Sequence, residues 1–374
     1  MRKILEGSIA VAEMVKLCRP AVVSAYPITP QTHIVEELAK LKAEGFGDYE
    51  FVRAESEFSA ASIVLGASAS GVRAYTATSS QGLLYMAEVV FTIAGMRLPV
   101  VMTCANRAIS APINIWNDEQ DSMTVRDSGW IMLYAENNQE AVDLHAIAFK
   151  VAEQLNIPVM VNMDGFVLTH TTEPVDIPEQ KIVDQYLPSY SPKAGEFLEI
   201  RNPVSLGALA TPEHYQSIRE DLHQDLLSSQ KVLLSEMKNF KKIFGRGSSE
   251  LVEYYGDPRA KKVLLSRGSI CGTIKEVIDN TRGVGLLRIK SYRPFPVQEI
   301  RQKLKFAKDI SVFEKCVSLG SGGILAGEVR NALFGENKKI NSFVGGLGGR
   351  DITVKMIEKI IKATNKNTHD SIFL

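Results

Sequence analysis

The sequence predicts an α/β fold in which a doubly wound, mostly parallel sheet is followed by a smaller α/β domain. Short apolar runs alternate with segments of helical periodicity, and several runs lack the strict alternation of a half-exposed strand. Within residues 20 to 130, these runs repeatedly end in short polar loops. Because the strand ends of such a sheet gather along one edge, where ligands bind, we expect a site there.

In the first half of the chain, six apolar runs predict strands and four periodic segments predict helices. The strands fall at residues 21–25, 51–54, 73–77, 98–104, 130–135 and 157–163, and the helices at 31–43, 57–69, 83–94 and 138–154. This alternation favours parallel strands joined by right-handed crossovers. The helix at 57–69 is rich in Ala, Ser and Gly, which fits either tight packing on the sheet or an interface beside a cofactor.

The second half contains a connecting segment and a second alternating region. A stretch rich in Pro, Thr and Tyr at 169–203 precedes a long charged helix at about 212–243, which we interpret as an arm or linker. The later predicted elements are strands Lys262–Ser266, Gly285–Ile289 and Asp309–Phe313, and helices at about 272–281, 297–305 and 323–333. We therefore predict a first domain at 1–255, with the linker at about 170–255, and a second at 256–374.

Composition excludes several classes of partner. The 374 residues carry 43 Lys and Arg against 43 Asp and Glu, so no overall field attracts nucleic acid or an anionic membrane. No apolar run approaches the length of a bilayer span. Cys18, Cys104, Cys271 and Cys316 are widely spaced and resemble no iron–sulfur or zinc ligand set. We expect a cytoplasmic protein with reduced thiols.

Five polar residues in the strand-end loops are candidates for chemistry. Glu57 opens the small-residue helix, where a carboxylate either complements the helix dipole or shares a proton with a ligand. Arg107 offers a two-pronged grip for a carboxylate, or forms an ordinary surface ion pair. Thr29 supplies a hydroxyl on a loop stiffened by prolines, or serves the turn alone. Ser80 and Gln81 belong to a neutral hydrogen-bonding loop before a helix.

Other motifs carry weaker signals. The histidines His33, His145 and His170 fall in no strand-end motif, so catalysis by a nucleophile and histidine is poorly supported, which points to a borrowed cofactor. Gly320 to Gly323 follow a strand and open a helix, so their amides could cradle a phosphate. The spacing matches no nucleotide fingerprint, and a structural turn is favoured there and at Gly345 to Gly349.

Eight segments in order along the chain together resemble the alpha subunit of pyruvate:ferredoxin oxidoreductase, of the 2-oxoacid:ferredoxin oxidoreductase family. They are Tyr26-Pro-Ile-Thr-Pro30, Glu55-Ser-Glu57, Thr76-Ala-Thr-Ser-Ser-Gln-Gly82, Ala105-Asn-Arg-Ala-Ile-Ser-Ala-Pro112, Trp116-Asn-Asp-Glu-Gln-Asp-Ser-Met123, Arg126-Asp-Ser-Gly129, Met163-Asp-Gly-Phe166 and Arg293-Pro-Phe-Pro296. The set is specific, whereas any single segment is a weak signal.

The resemblance implies a thiamine diphosphate cofactor, with this chain supplying its pyrimidine-binding domain and a transketolase C-terminal-like second domain. Glu57 would hydrogen-bond the pyrimidine ring, and Pro27, Ser80 and Gln81 would also contact the cofactor. Arg107 and Thr29 would bind the substrate. The family's magnesium motif, Gly-Asp-Gly, does not occur here. The resemblance implies that Mg²⁺ and [4Fe-4S] clusters are held by beta, gamma and delta-type partner subunits, with coenzyme A as co-substrate and ferredoxin as electron acceptor.

Pyruvate is the expected substrate, because the segments around Arg107 and Trp116 look most like those of pyruvate enzymes. Branched-chain 2-oxoacids, 2-oxoglutarate and oxalate are alternatives. A non-catalytic nucleotide- or phosphate-binding subunit, with Gly320 to Gly323 as its site, is another interpretation. A third is a thiamine-dependent transketolase or decarboxylase without redox partners, which the missing magnesium motif disfavours.

Overall fold

The computed structural model describes residues 2–363 and 370–374. Its strands are β1 (Arg2–Glu6), β2 (Val22–Ala25), β3 (Glu50–Arg53), β4 (Ala74–Thr78), β5 (Val101–Asn106), β6 (Ile131–Tyr134), β7 (Val159–Asp164), β8 (Thr172–Asp176), β9 (Val252–Gly256), β10 (Lys262–Ser266), β11 (Val284–Ile289), β12 (Ser291–Arg293), β13 (Asp309–Glu314), β14 (Lys339–Val344) and β15 (Ile372–Phe373). Its helices are α1 (Gly7–Leu17), α2 (Thr32–Ala43), α3 (Glu57–Ala69), α4 (Ser80–Tyr85), α5 (Ala87–Gly95), α6 (Gln120–Thr124), α7 (Asn138–Leu155), α8 (Gln180–Tyr186), α9 (Pro212–Phe244), α10 (Ile270–Asp279), α11 (Val297–Lys303), α12 (Ile324–Ala332) and α13 (Val354–Lys362), with a short 3-10 turn at Leu347–Gly349.

The first sheet has seven strands in the order β12-β6-β7-β5-β4-β2-β3. All its neighbouring pairs are parallel except the edge pair of β12 with β6. Apolar clusters cover both faces, one with residues of α1, α2 and α7 and the other with residues of α3 and α5. The predicted doubly wound sheet is therefore confirmed.

The strand order reverses at β2. This strand pairs with β3 on one side and with β4 on the other, so the chain crosses over β2 when it passes from β3 to β4. Ligands of open α/β sheets bind beyond the carboxyl ends of strands at such a switch point. The loops that follow β2, β3, β4 and β5 consequently define the place to search for a site.

The small residues of α3 pack tightly on the sheet. Ala60, Ala61 and Val64 are fully buried and face the strands, while the N-terminal residue Glu57 is half-buried. The hydroxyl of Ser56 caps the helix by accepting a hydrogen bond from the backbone amide of Ser59 at 3.1 Å. This packing brings the first turn of α3 close to the end of β4.

Three sequence predictions need correction. The segment at 83–94 is two helices, α4 and α5, which meet at Met86, where the backbone leaves helical geometry. The stretch at 169–203 contains β8 and α8. Strand β8 pairs antiparallel with β1, and neither β1 nor α1 was predicted. Periodicity missed β1 because it is a short edge strand with no apolar alternation.

The second sheet has six strands in the order β15-β14-β13-β10-β11-β9, all parallel except the edge strand β9. Its predicted strands at 262–266, 285–289 and 309–313 are confirmed within one residue at each end. Strand β9 begins at Val252, ahead of the predicted domain boundary between 255 and 256. That boundary stays a prediction.

The helix predicted at about 212–243 is confirmed as α9, which packs on α7 and α8 through Leu233, Met237 and Phe240. Its role as an arm or linker stays a prediction. A second apolar cluster is continuous from the first sheet to the second, joining residues such as Trp130 and Leu287. None of the described helices is both long enough and apolar enough to cross a membrane.

Candidate functional site

Four loops at the carboxyl edge of the first sheet carry the predicted site residues. Pro27 and Thr29 follow β2, Glu57 follows β3, Ser80 and Gln81 follow β4, and Arg107 follows β5. Because these strands are parallel neighbours, their ends lie at one edge. Pro27 and Thr29 are exposed, whereas Ser80 is fully buried.

The carboxylate of Glu57 lies against Gly82. A Cβ atom built on Gly82 would lie 2.8 Å from Oε1 of Glu57 and 2.6 Å from Oγ1 of Thr78, so any side chain at position 82 would displace one of them. Glu57 finds no hydrogen-bonding or ion-pair partner for its carboxylate among residues 2–363 and 370–374. A half-buried carboxylate without a protein partner is available to a ligand.

Arg107 is only 8% exposed, and backbone carbonyls hold its guanidinium. Its Nε donates to the carbonyl of Asn114 at 2.9 Å and its Nη1 donates to the carbonyl of Thr29 at 3.0 Å. Burial lowers the pKa of Arg107, although the group still remains protonated at neutral pH. In the described part of the chain, no carboxylate forms a salt bridge with it. The site therefore presents a desolvated cation whose charge a bound anion can neutralise.

Asp121 connects the loop after β4 to the end of β5. Its fully buried carboxylate accepts hydrogen bonds from the backbone amides of Ser80 at 2.9 Å and Arg107 at 3.0 Å, and from the side-chain amide of Asn106 at 2.9 Å. Burial raises the pKa of Asp121, whereas these donors oppose the shift. Asp121 lies in one of the segments that carry the family resemblance, but no role was predicted for it from the sequence.

Ser80 and Gln81 present different groups to the edge. The Ser80 backbone is left-handed, with φ of 48°, and its hydroxyl lies within hydrogen-bonding distance of the carbonyl of Ala108 and of Oε1 of Gln81. The hydroxyl therefore connects two loops of the protein. Gln81 keeps a buried Nε2 that has no hydrogen-bond partner among the described residues. An unpaired buried donor of this kind is costly unless a ligand or water satisfies it.

The second domain supports the Arg107 loop. The side-chain amide of Asn114 donates to the carbonyl of Gly348 at 3.0 Å, while the backbone carbonyl of the same Asn114 accepts from Arg107. Asp118 accepts from the amide of Gly348 at 3.2 Å, and burial raises the pKa of Asp118 to about 6. The loop at Gly345 to Gly349 thus packs on the site, as a structural turn would.

A buried polar cluster at the end of β7 links the first sheet to the second domain. Asp164, at the end of β7, lies 2.6 Å from Nζ of Lys315 and accepts from the backbone amide of Ser269 at 2.8 Å. Burial opposes ionisation, but the charge of Lys315 prevails and the pKa of Asp164 is lowered. Asn117 bridges Asp164 and Lys315. These residues are satisfied within the chain and hold the domains together.

The glycine-rich start of α12 is filled by the protein itself. The backbone amides of Leu325 and Ala326 donate to the buried carboxylate of Glu314 at 2.7 Å and 3.0 Å, and the amide of Gly323 donates to Ser371 at 2.7 Å. A carboxylate of this chain occupies the place where a phosphate would bind. The structural turn favoured for Gly320 to Gly323 is confirmed, and the phosphate-site alternative loses its support.

Comparisons with known proteins agree with this architecture. Residues 13–238 match the family model described as "Pyruvate flavodoxin/ferredoxin oxidoreductase, thiamine diP-bdg". Residues 260–357 match the model described as "Pyruvate:ferredoxin oxidoreductase core domain II". The first match covers β2 to β7 of the first sheet, and the second covers β10, β11, β13 and β14 of the second sheet.

Several relatives are similar over nearly their whole length. The pyruvate synthase subunits PorA of Methanocaldococcus jannaschii and Methanothermobacter thermautotrophicus are 46% and 44% identical over 99% and 97% of this chain, and 96% and 95% of their own lengths are covered. The ketoisovalerate oxidoreductase subunit VorA of Pyrococcus abyssi is 40% identical over 98% of this chain and 94% of its own length.

Solved structures share the fold. The 2-oxoglutarate:ferredoxin oxidoreductase of Magnetococcus marinus, solved with 2-oxoglutarate, coenzyme A and succinyl-CoA, superposes with a TM-score of 0.73 at 20% identity over 98% of this chain. This chain spans 65% of the length of that one. An inactive split-gene transketolase superposes with a TM-score of 0.52 at 10% identity, over 95% of this chain and 97% of the other.

Proposed function

The chain belongs to the pyruvate flavodoxin/ferredoxin oxidoreductase family, and we propose that it is the alpha subunit of a multi-subunit pyruvate:ferredoxin oxidoreductase. The complex would decarboxylate pyruvate oxidatively to acetyl-CoA and CO2 and pass the electrons to ferredoxin. Beta, gamma and delta-type subunits would be its partners, and the cytoplasm its location. The identity of 44% to 46% to pyruvate synthase subunits supports this assignment.

The observation that carries the proposal is the unpartnered carboxylate of Glu57 at the switch point of the sheet. It lies against Gly82, where any side chain would displace it, and it belongs to the edge that also holds the largely buried Arg107. At one sheet edge lie a carboxylate with no partner among the described residues and a cation that backbone carbonyls hold, which supports a site for a polar, anionic substrate.

The residues present fit the pyrimidine end of thiamine diphosphate. Glu57 offers a free carboxylate, and Gln81 offers a buried amide donor without a partner. Pro27 is exposed at the rim of the site. The hydroxyl of Ser80 already connects two protein loops, so Ser80 would contact the cofactor through its left-handed backbone. When bound, the cofactor supplies the stabilised carbon nucleophile that decarboxylation of a 2-oxoacid requires.

The diphosphate end of the cofactor and its Mg²⁺ would be held by a partner subunit. This chain has no Gly-Asp-Gly motif, and the buried carboxylates near the strand ends, Asp121 and Asp164, are satisfied by donors of the chain itself. The [4Fe-4S] clusters would also belong to partners, since the four cysteines are all buried and dispersed.

In this proposal, four residues of the chain have defined tasks. Glu57 holds a proton shared with the pyrimidine ring nitrogen, which tunes the basicity of the heterocycle. Arg107 binds the carboxylate of the 2-oxoacid, and its two bonds to backbone carbonyls fix the direction of the guanidinium. Thr29 places its hydroxyl beside that carboxylate or the keto oxygen. Asp121 positions the backbones of Ser80 and Arg107.

Branched-chain 2-oxoacids are the second candidate substrate class, because a ketoisovalerate oxidoreductase subunit is 40% identical to this chain. Reconstitution distinguishes the two. The chain is prepared in two forms, alone and in complex with the subunits that co-purify with it. Ferredoxin reduction by each form is measured in the presence of coenzyme A, with either pyruvate or 2-ketoisovalerate as substrate. We expect no turnover by the chain alone, and a higher kcat/KM for pyruvate with the complex. A higher kcat/KM for 2-ketoisovalerate would favour the second candidate, and turnover by the chain alone would contradict the division of labour.

A further inference from the structure

Three potential metal ligands meet outside the site described above. Glu6 ends β1, His33 lies in the first turn of α2, and His170 lies just before β8. One ligand atom from each residue lies within 4.8 Å of the other two. Nδ1 of His33 is 2.6 Å from Oε1 of Glu6, and the ring centroids of His33 and His170 are 4.5 Å apart.

An ordinary ion pair explains only part of this cluster. Glu6 and His33 could form such a pair by themselves, but it would not require a second imidazole. His170 is nevertheless held in place, with its Nδ1 2.8 Å from the hydroxyl of Thr169 and its ring 4.7 Å from that of Phe166. Because Thr169 occupies Nδ1, the free nitrogen of His170 is Nε2. A hydrogen bond to the far nitrogen orients the imidazole in the way that metal-binding histidines require.

The donor set selects a class of ion. Two imidazoles and one carboxylate suit divalent transition metals, whereas Mg²⁺ and Ca²⁺ prefer oxygen ligands alone. Three protein ligands leave a coordination position open, as in many zinc sites. The side chain of His33 is 44% exposed, which gives an ion a path from solvent.

We propose that Glu6, His33 and His170 bind a divalent transition-metal ion, with Zn²⁺ as the best match. The ion would tie β1 and α2 to the connection between β7 and β8. That connection packs on the loop after β2, since a Cβ atom built on Gly165 would lie 2.6 Å from Cγ of Pro30. The ion would therefore brace the Thr29 loop from behind.

Binding can be measured on the full-length chain without partners or activity, so the result is independent of the proposed function. The chain is freed of metal with a chelator and titrated with Zn²⁺, using Co²⁺ absorption to report the ligand geometry. We expect a single ion to bind and to raise the thermal unfolding midpoint by mass action. His170→Ala and Glu6→Gln should each weaken binding at least as much as the roughly 10- to 100-fold loss typical of removing an outer-shell partner.

His214→Ala is the matched control, because His214 is exposed on α9 and distant in sequence from the cluster. It should bind Zn²⁺ like the unmodified chain. Glu6→Gln retains the shape of the side chain and carries the test if His170→Ala fails to fold, with circular dichroism reporting the fold of each metal-free variant. Absence of stoichiometric binding at micromolar Zn²⁺ would overturn the proposal. So would unchanged affinity in a folded Glu6→Gln variant.

Discussion

Arg107 brings a positive charge into a largely buried position where, among the described residues, the guanidinium donates hydrogen bonds only to backbone carbonyls. Such carbonyls orient a guanidinium without neutralising it, so the free energy of binding an anion remains available. Thr29 and Arg107 were both predicted from the polar loops that follow strands. Their direct contact through the carbonyl of Thr29 was not, because it depends on how the two loops fold over the edge.

Arg107→Lys should weaken substrate capture in the assembled complex. A lysine keeps the charge but cannot span the carbonyls of Asn114 and Thr29, so the cation loses its direction. Hydrogen bonds to charged groups contribute about 1.5–3 kcal/mol, so we expect the KM for pyruvate to rise roughly 10- to 100-fold. Arg19→Lys, at an exposed ion pair with Asp184, is the control. Unchanged saturation by pyruvate would contradict this role.

Asp121 was missed because its sequence context gives no structural signal. It lies among Asn, Asp, Glu and Gln residues, where one carboxylate cannot be distinguished from another by pattern. Only the folded chain shows that Asp121 alone receives the amides of both Ser80 and Arg107.

Asp121→Asn should destabilise the full-length chain. The amide nitrogen of the new side chain would face backbone donors, leaving buried N–H groups without acceptors. Leaving such groups unsatisfied costs about 1–3 kcal/mol each, so we expect a loss of about 3 kcal/mol in the free energy of unfolding by urea. Asp184→Asn, at an exposed ion pair, should cost less than about 1 kcal/mol. Equal losses in the two variants would refute the positioning role of Asp121.

At the scale of elements, periodicity located most of the strands that form the site. Helix α3 and strand β10 match their predicted bounds, and α9 extends its prediction by one residue. The split between α4 and α5 at Met86 escaped prediction, because an apolar run of helical period continues through it. Strands β1 and β8 were missed because, among the described strands, each pairs only with the other, in an antiparallel pairing across more than 160 residues of chain.

An ion network between elements makes stability sensitive to acid. Arg288 of β11 and the following Lys290 bind Glu140 of α7 and Glu253 of β9, joining the two domains. Burial opposes ionisation of both carboxyls, but the charges of Arg288 and Lys290 prevail. They lower the pKa of Glu140, and that of Glu253 from 4.5 to about 2.

A carboxyl whose pKa is lowered by folding stabilises the native state at pH values above its pKa in the unfolded chain. This contribution is lost as the pH falls and the carboxyl is protonated. We therefore expect the urea midpoint to fall as the pH decreases from 4.5 towards 2. The double variant Glu140→Gln with Glu253→Gln should start from a lower midpoint and show a shallower decline over that range. Parallel curves for the two proteins would show that other carboxyls control the acid response.

At the scale of the whole molecule, the two sheets are less separate than the sequence predicts. The three residues of β12 lie in the second half of the chain but pair with β6 of the first sheet, and one apolar cluster continues between the sheets. The Arg293-Pro-Phe-Pro296 segment contributes to the family resemblance, but the strand that ends at Arg293 was not predicted. An edge pairing of three residues between distant segments leaves no periodic signal.

This arrangement explains how the second domain affects a site that lies on the first. Its Gly348 supports Asn114, which in turn holds Arg107. In the proposed complex, this edge would face a partner subunit, with the carboxylate of Glu57 lacking a partner among the described residues.

The rate at which the C2 proton of thiamine diphosphate exchanges with deuterium in the assembled complex tests this account most directly. Glu57→Gln should slow the exchange by about 10²- to 10⁴-fold while the subunits still assemble, because a glutamine cannot share its proton with the ring nitrogen. Glu55→Gln is the matched control, since Glu55 is exposed two residues away and binds Ser59. It should exchange at the normal rate. A normal rate in an assembled Glu57→Gln complex would contradict the account.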